Sequence, residues 1–263
     1  MQVDNFPPAN NQLPVEPSPP RPRIWGAWST IGFGAAIFAV YFVTQSIIAV
    51  AFAVANLVST PAEGLNQTVA KLATNGLLVS VATVASAITG LAFILLFIRA
   101  RKGASIAAYL GLKIFGRRTV FTLLAVVAGL IILSFLLDKL ASSPRDTSFT
   151  VDAYQTSRWP VLFGFAVVVF APLFEECFFR GFVFVGLAGS KIGAPGAIIL
   201  TALTWALLHV QYDIYGMGSI LVLGIVFGIV RHRTGSLWST LLLHALWNLA
   251  ALISTITYVR TGG

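Results

Sequence analysis

The sequence predicts an all-α fold: a polytopic transmembrane helix bundle of about seven spans with its N-terminus in the cytoplasm. Three observations lead there. Of the 263 residues, 57% are hydrophobic and 10% charged, whereas an ordinary soluble domain is about half apolar and a quarter charged. Runs without Asp, Glu, Lys or Arg extend over 24–62, 72–98, 119–137, 192–212, 214–230 and 234–259, and a helix needs about 20 mostly apolar residues to cross a bilayer. Lysine and arginine gather in alternate connections, the bias that orients membrane helices.

Residues 1–23 are polar and hold seven of the twelve prolines, among them PSPPRPR, which predicts a disordered cytosolic tail and not a cleavable signal peptide. Residues 24–263 are expected to form one transmembrane domain. Its spans are predicted at 28–57, 73–98, 119–140, 160–188, 196–212, 217–230 and 237–257, the fourth only if Glu175, Glu176 and Arg180 are tolerated within it. Arg99, Arg101, Lys102, Lys113, Arg117 and Arg118 crowd one loop. With that loop cytoplasmic, Arg21, Arg23, Lys191, Arg231 and Arg233 share its side, and Glu63, Asp138, Asp146, Asp152 and Asp213 lie opposite. The connection 141–158 is polar and falls outside. A net charge of +8 distributed in this way points to a membrane surface and not to nucleic acid. The single cysteine, Cys177, excludes an internal disulfide and reads as a small apolar helix residue.

Chemistry concentrates after residue 170. The stretch FEECFFRG, 174–181, places two carboxylates and a guanidinium in an apolar span, where an ionised group near the bilayer centre costs about 2.5–3.5 kcal/mol and needs an inward face and a partner. Glu176 and Arg180 are four residues apart and can pair on one helix face, while Glu175 is turned roughly 100° away. Glu175 must therefore find its partner on another helix. WALLH places Trp205 and His209 at i and i+4 on span 5, and HALWN places His244 and Asn248 at that spacing on span 7. Glu175 and His209 are nearly equidistant from the turn at Gly193, so they can meet at one depth. His244 starts shallower, only about ten residues beyond Arg233, and needs tilt or a helix break to reach them. The third histidine, His232, lies between two arginines and reads as solvated. Each group also has a purely structural reading: Glu176 and Arg180 as a buried ion pair, the histidines as interhelical hydrogen-bonding residues.

EECFFR at 175–180 resembles the EExxxR motif of the CAAX protease and bacteriocin-processing family, also called the Abi or CPBP group. Trp205 with His209 is similar to that family's second motif, an aromatic residue four before a histidine, and His244 with Asn248 to its HxxxN motif. The resemblance covers roughly 160–250. It departs at Trp205, where the family most often has phenylalanine. It implies an intramembrane endopeptidase similar to the type II CAAX prenyl endopeptidases, in a lineage that also includes bacteriocin self-immunity proteins, and an integral protein of a bacterial plasma membrane.

Carried onto these positions, the chemistry of peptide hydrolysis assigns Glu175 and His209 to water activation and His244 and Asn248 to the oxyanion. Glu176, Arg180 and Trp205 are expected to support the helix that carries Glu175. A zinc version would use Glu175, His209 and His244 as ligands. The spacing is not HExxH, and Asn248 is a good oxyanion donor but a poor zinc ligand, which favours a site without a cofactor. The partners expected are membrane lipid and a peptide or protein substrate, lipidated or not, with no nucleic acid. Two other classes use the same residues. A non-enzymatic scaffold or immunity-type protein would keep the cluster for helix packing; an ion-coupled transporter would keep it as a relay, against which stands the lack of an internal repeat.

Overall fold

The computed structural model describes residues 24–60, 64–140 and 147–262, the side chain of Leu140 excepted. The expected tail 1–23 with Arg21 and Arg23, and the acidic residues Glu63 and Asp146, lie outside them. All regular structure among the described residues is helical: α1 (Ala27–Ser59), α2 (Leu65–Ala73), α3 (Gly76–Ala100), α4 (Ile106–Leu110), α5 (Arg117–Leu140), α6 (Ser148–Gln155), α7 (Pro160–Ala188), α8 (Gly193–Leu207), α9 (Ile214–Thr234) and α10 (Leu237–Thr261). Six of these, α1, α3, α5, α7, α9 and α10, are long and apolar enough to cross a membrane. The chain is thus a polytopic membrane helix bundle. The seventh expected span, 196–212, is a helix of 15 residues, about 22 Å long against a hydrocarbon core of about 30 Å.

That early stop has a local cause. The Nδ1–H of His209 donates to the Trp205 carbonyl at 2.7 Å, taking the acceptor that the main-chain N–H of residue 209 would use in a continuing helix. The His209 N–H turns to the Ala206 carbonyl at 3.1 Å, tightening the last turn. The chain then folds back, and Asp213 caps α9 by accepting from the Gly216 N–H at 2.8 Å. His209 therefore lies in the α8–α9 connection, not on the helix where the WALLH spacing predicted it.

Helix α7 runs through the middle of the bundle, and it is irregular. Ala166–Phe170 and Glu176–Val183 are wound as π-helix, with a five-residue α-helical stretch, Ala171–Glu175, between them. Such turns shift carbonyls out of the helix ladder, and in each segment a side chain from a neighbouring helix donates to one. Asn248 Nδ2 on α10 reaches the Val167 carbonyl at 2.8 Å, and Arg231 Nε on α9 reaches the Arg180 carbonyl at 3.0 Å. Small residues let the helices close on α7: Gly90 of α3 faces the Phe174 ring, and Gly186 faces the Thr30 side chain of α1.

The depth of His244 is set at the α9–α10 turn. Arg231, expected between two spans on the cytoplasmic side, is part of α9 and 6% exposed. Besides Arg180 it donates through Nη2 to the Leu110 carbonyl at 3.1 Å. Leu237 N–H donates to the Gly111 carbonyl at 2.9 Å, and Ser236 Oγ–H to the Lys113 carbonyl at 2.5 Å. The turn is thereby drawn up against α7 at the level of Arg180, with α4 packed beside both. Seven residues of α10, about 10 Å, then suffice to bring His244 alongside Glu176.

Candidate active site

Glu176 is the centre of the buried polar cluster. Its Oε1 accepts from Arg180 Nη1 at 3.0 Å and from His244 Nδ1 at 2.9 Å, and the side chains of Glu176 and Arg180 are both fully buried. The expected local pair is present, and it extends to a second helix. Arg180 Nη2 also donates to the Gly224 carbonyl of α9 at 3.3 Å, at a glycine that lets Ala202 and Trp205 of α8 approach closely. Two strong donors on one carboxylate oxygen, one of them cationic, are what an anion in a membrane interior requires.

Glu175 faces a different set of groups. Its Oε2 accepts from the indole Nε1–H of Trp205 on α8 at 2.5 Å, which supplies the partner on another helix that the sequence demanded. The same oxygen lies 3.9 Å from His244 Nε2, beyond hydrogen-bond length. The Glu175 side chain is 18% exposed while that of Glu176 is 0%, so of the two adjacent carboxylates only Glu175 can meet an incoming molecule.

His244 stands between the two glutamates. With Nδ1–H given to Glu176, its Nε2 points to Glu175, and a carboxylate thereby fixes the ring's orientation. Because a carbonyl oxygen only accepts, the bond from His209 to Trp205 requires the proton on Nδ1 and leaves Nε2 as that ring's second functional atom. His209 packs edge-on to Trp205, with ring centroids 5.3 Å apart; no hydrogen bond among the described residues joins it to Glu175. Asn248 has one amide hydrogen committed to Val167 and a second with no hydrogen-bond acceptor among the described residues. The structure therefore joins Glu175, Glu176, Arg180, Trp205 and His244 directly, and holds His209 and Asn248 through main-chain carbonyls beside them.

Among the described residues, no group of three His, Cys, Asp or Glu side chains is placed to hold a metal ion.

Two residues that the motif spacing did not single out border the site. Tyr41 of α1 stacks on Phe174, with centroids 4.2 Å apart and planes at 11°. Tyr212 lies parallel to His209, with centroids 6.3 Å apart and planes at 13°. Burial, and then the negative charge of Glu175, push the Tyr212 hydroxyl above the usual tyrosine range. A tyrosine three residues beyond a candidate histidine was the available signal for the second. Tyr41, more than 130 residues away in sequence, left none.

Residues 157–250 match the family model described as type II CAAX prenyl endopeptidase Rce1-like. No curated protein and no solved structure matches the chain. The matched segment contains α7 through most of α10 and every residue of the cluster except the bordering Tyr41. It supports an intramembrane CAAX-type endopeptidase in general terms. Over residues 157–250, this chain is similar to the type II CAAX prenyl endopeptidase Rce1-like family.

Proposed function

We propose that this protein hydrolyses a peptide bond within the membrane, with Glu175 and His209 activating the water and His244 and Asn248 stabilising the oxyanion. The observation that carries the reading is the position of Glu175: the one accessible carboxylate of the pair, directed at a histidine whose far nitrogen is already held by Glu176. A gap of 3.9 Å between Glu175 Oε2 and His244 Nε2 suits contact through a reacting oxygen better than a direct bond.

In this mechanism Glu175 accepts a proton from water and the hydroxide adds to the scissile carbonyl. His209, through Nε2, helps to hold the water. The carbonyl oxygen gains negative charge and meets the second amide hydrogen of Asn248 and a protonated Nε2 of His244. The proton on Glu175 then passes to the leaving amine as the C–N bond breaks, so the carboxylate returns to its starting state. No step is routed through a metal. The substrate class we propose is a peptide or protein carrying a lipidated cysteine near its C-terminus, presented from a bacterial plasma membrane.

The test is cleavage of a prenylated CAAX-type peptide by the protein in lipid nanodiscs. Glu175→Gln should lower the rate by at least about 100-fold, and membrane proteomics of cells carrying that variant should show a processed peptide that disappears. Equal cleavage by wild type and Glu175→Gln would refute the assignment of Glu175. A strong chelator should leave the rate unchanged; loss of activity restored by zinc would install the metal reading instead.

A further inference from the structure

Trp205 touches more of the cluster than any motif residue around it. It is 3% exposed. Its ring lies 4.5 Å below the Arg180 guanidinium carbon and stands edge-on to His244, with centroids 5.2 Å apart. Two of its polar groups bind the two residues assigned to the water: Nε1–H donates to Glu175 Oε2 and the main-chain carbonyl accepts from His209 Nδ1–H. The second contact would survive any side chain at this position. The first would not, because phenylalanine could keep the ring stacking but has no N–H.

We propose that Trp205 is a positioning residue of the endopeptidase: its indole N–H holds the Glu175 carboxylate in register with the His209 ring, which its own carbonyl fixes. One residue thus sets the distance between the two water-activating groups. The physical basis is a charge-assisted hydrogen bond in a low-dielectric interior, stronger than a neutral bond and strict about direction. Without it, Glu175 has no described donor and its carboxylate is free to rotate away from His244 Nε2. Neither ring stacking nor burial supplies that constraint. The role rests on the endopeptidase reading, but the contact itself can be tested separately.

In the kinetic arm, Trp205→Phe is assayed on the prenylated peptide in nanodiscs. We expect kcat to fall about 10- to 100-fold with KM within about twofold, since the substrate does not bind through this N–H. A merely structural tryptophan would lower the folded fraction and leave kcat per folded molecule unchanged, and that outcome overturns the proposal. In the spectroscopic arm, ultraviolet resonance Raman reads the indole N–H band that reports hydrogen-bond strength. The strongly bonded component in wild type should vanish in Trp205→Phe and weaken in Glu175→Leu, which removes the acceptor. A band unchanged in Glu175→Leu shows that the N–H is not held by Glu175 and refutes the proposal whatever the kinetics. If wild type cleaves nothing while the band behaves as expected, the endopeptidase reading fails and the Trp205–Glu175 contact stands.

Discussion

Glu176 shows how two adjacent, chemically identical residues acquire different duties. Its carboxylate is spoken for by Arg180 and His244 at 3.0 and 2.9 Å, so it organises the site from behind while Glu175 faces outward. Removing one member of a buried ion pair strands its partner, at a cost of about 3–5 kcal/mol. Glu176→Gln should therefore lower the unfolding midpoint in detergent sharply and release the His244 ring; a variant as stable as wild type would show that Arg180 finds its charge balance elsewhere. Tyr212 gives a prediction in pH. Its hydroxyl holds its proton more tightly in the folded protein than in the unfolded chain because of burial and the Glu175 charge. The associated stability is fully present below the unfolded value of about 10 and is lost as pH rises through the raised folded value. Denaturation followed from pH 8 to 11 should show a steeper alkaline decline for wild type than for Tyr212→Phe; equal slopes would mean that neither burial nor the Glu175 charge raises this hydroxyl in the folded protein.

At the scale of the element, α7 is a helix whose two π segments bracket the short α-helical stretch ending at Glu175. The EExxxR spacing was legible because i and i+4 remain neighbours on any helical winding near 3.6 to 4.4 residues per turn. The π turns were not, since they arise from carbonyl partners on α9 and α10 that no local pattern announces. Packing onto α3 holds the same stretch. A Cβ at Gly90 would strike the Phe174 ring, whose movement is restricted by the Tyr41 ring stacked on it. Gly90→Ala should cost about 1–3 kcal/mol and reduce kcat by displacing Glu175. Gly164→Ala, whose added Cβ would sit 3.6 Å from Leu252, should be nearly silent by both measures. Similar losses in the two variants would remove the steric argument.

For the molecule as a whole, the decisive feature is the depth of the α9–α10 turn. Arg231 is drawn inward to the carbonyls of Arg180 and Leu110, and α4 fills the space beside it. Gly111 makes this possible: it adopts φ +70°, and a Cβ there would lie 2.6 Å from Arg231 Nη2 and 2.7 Å from the Gly235 carbonyl. Gly111→Ala should destabilise the protein by about 1–3 kcal/mol and, by loosening the turn, weaken activity through His244. Preserved activity in a destabilised protein would show that the turn does not set the histidine's register.

From the sequence alone followed the membrane class, the long spans and the six polar residues of the three motifs, because hydropathy and charge are local properties and an ionisable group in an apolar span demands a reason. It also required that Glu175 have a partner on another helix. Which partner was a matter of packing: Trp205, expected as support, supplies the donor, and Glu176, expected to serve only Arg180, also holds His244. Packing likewise ended α8 at Leu207, since a side chain competing for a carbonyl leaves no periodic trace, and it raised His244 to the level of the glutamates through contacts between residues more than 100 positions apart.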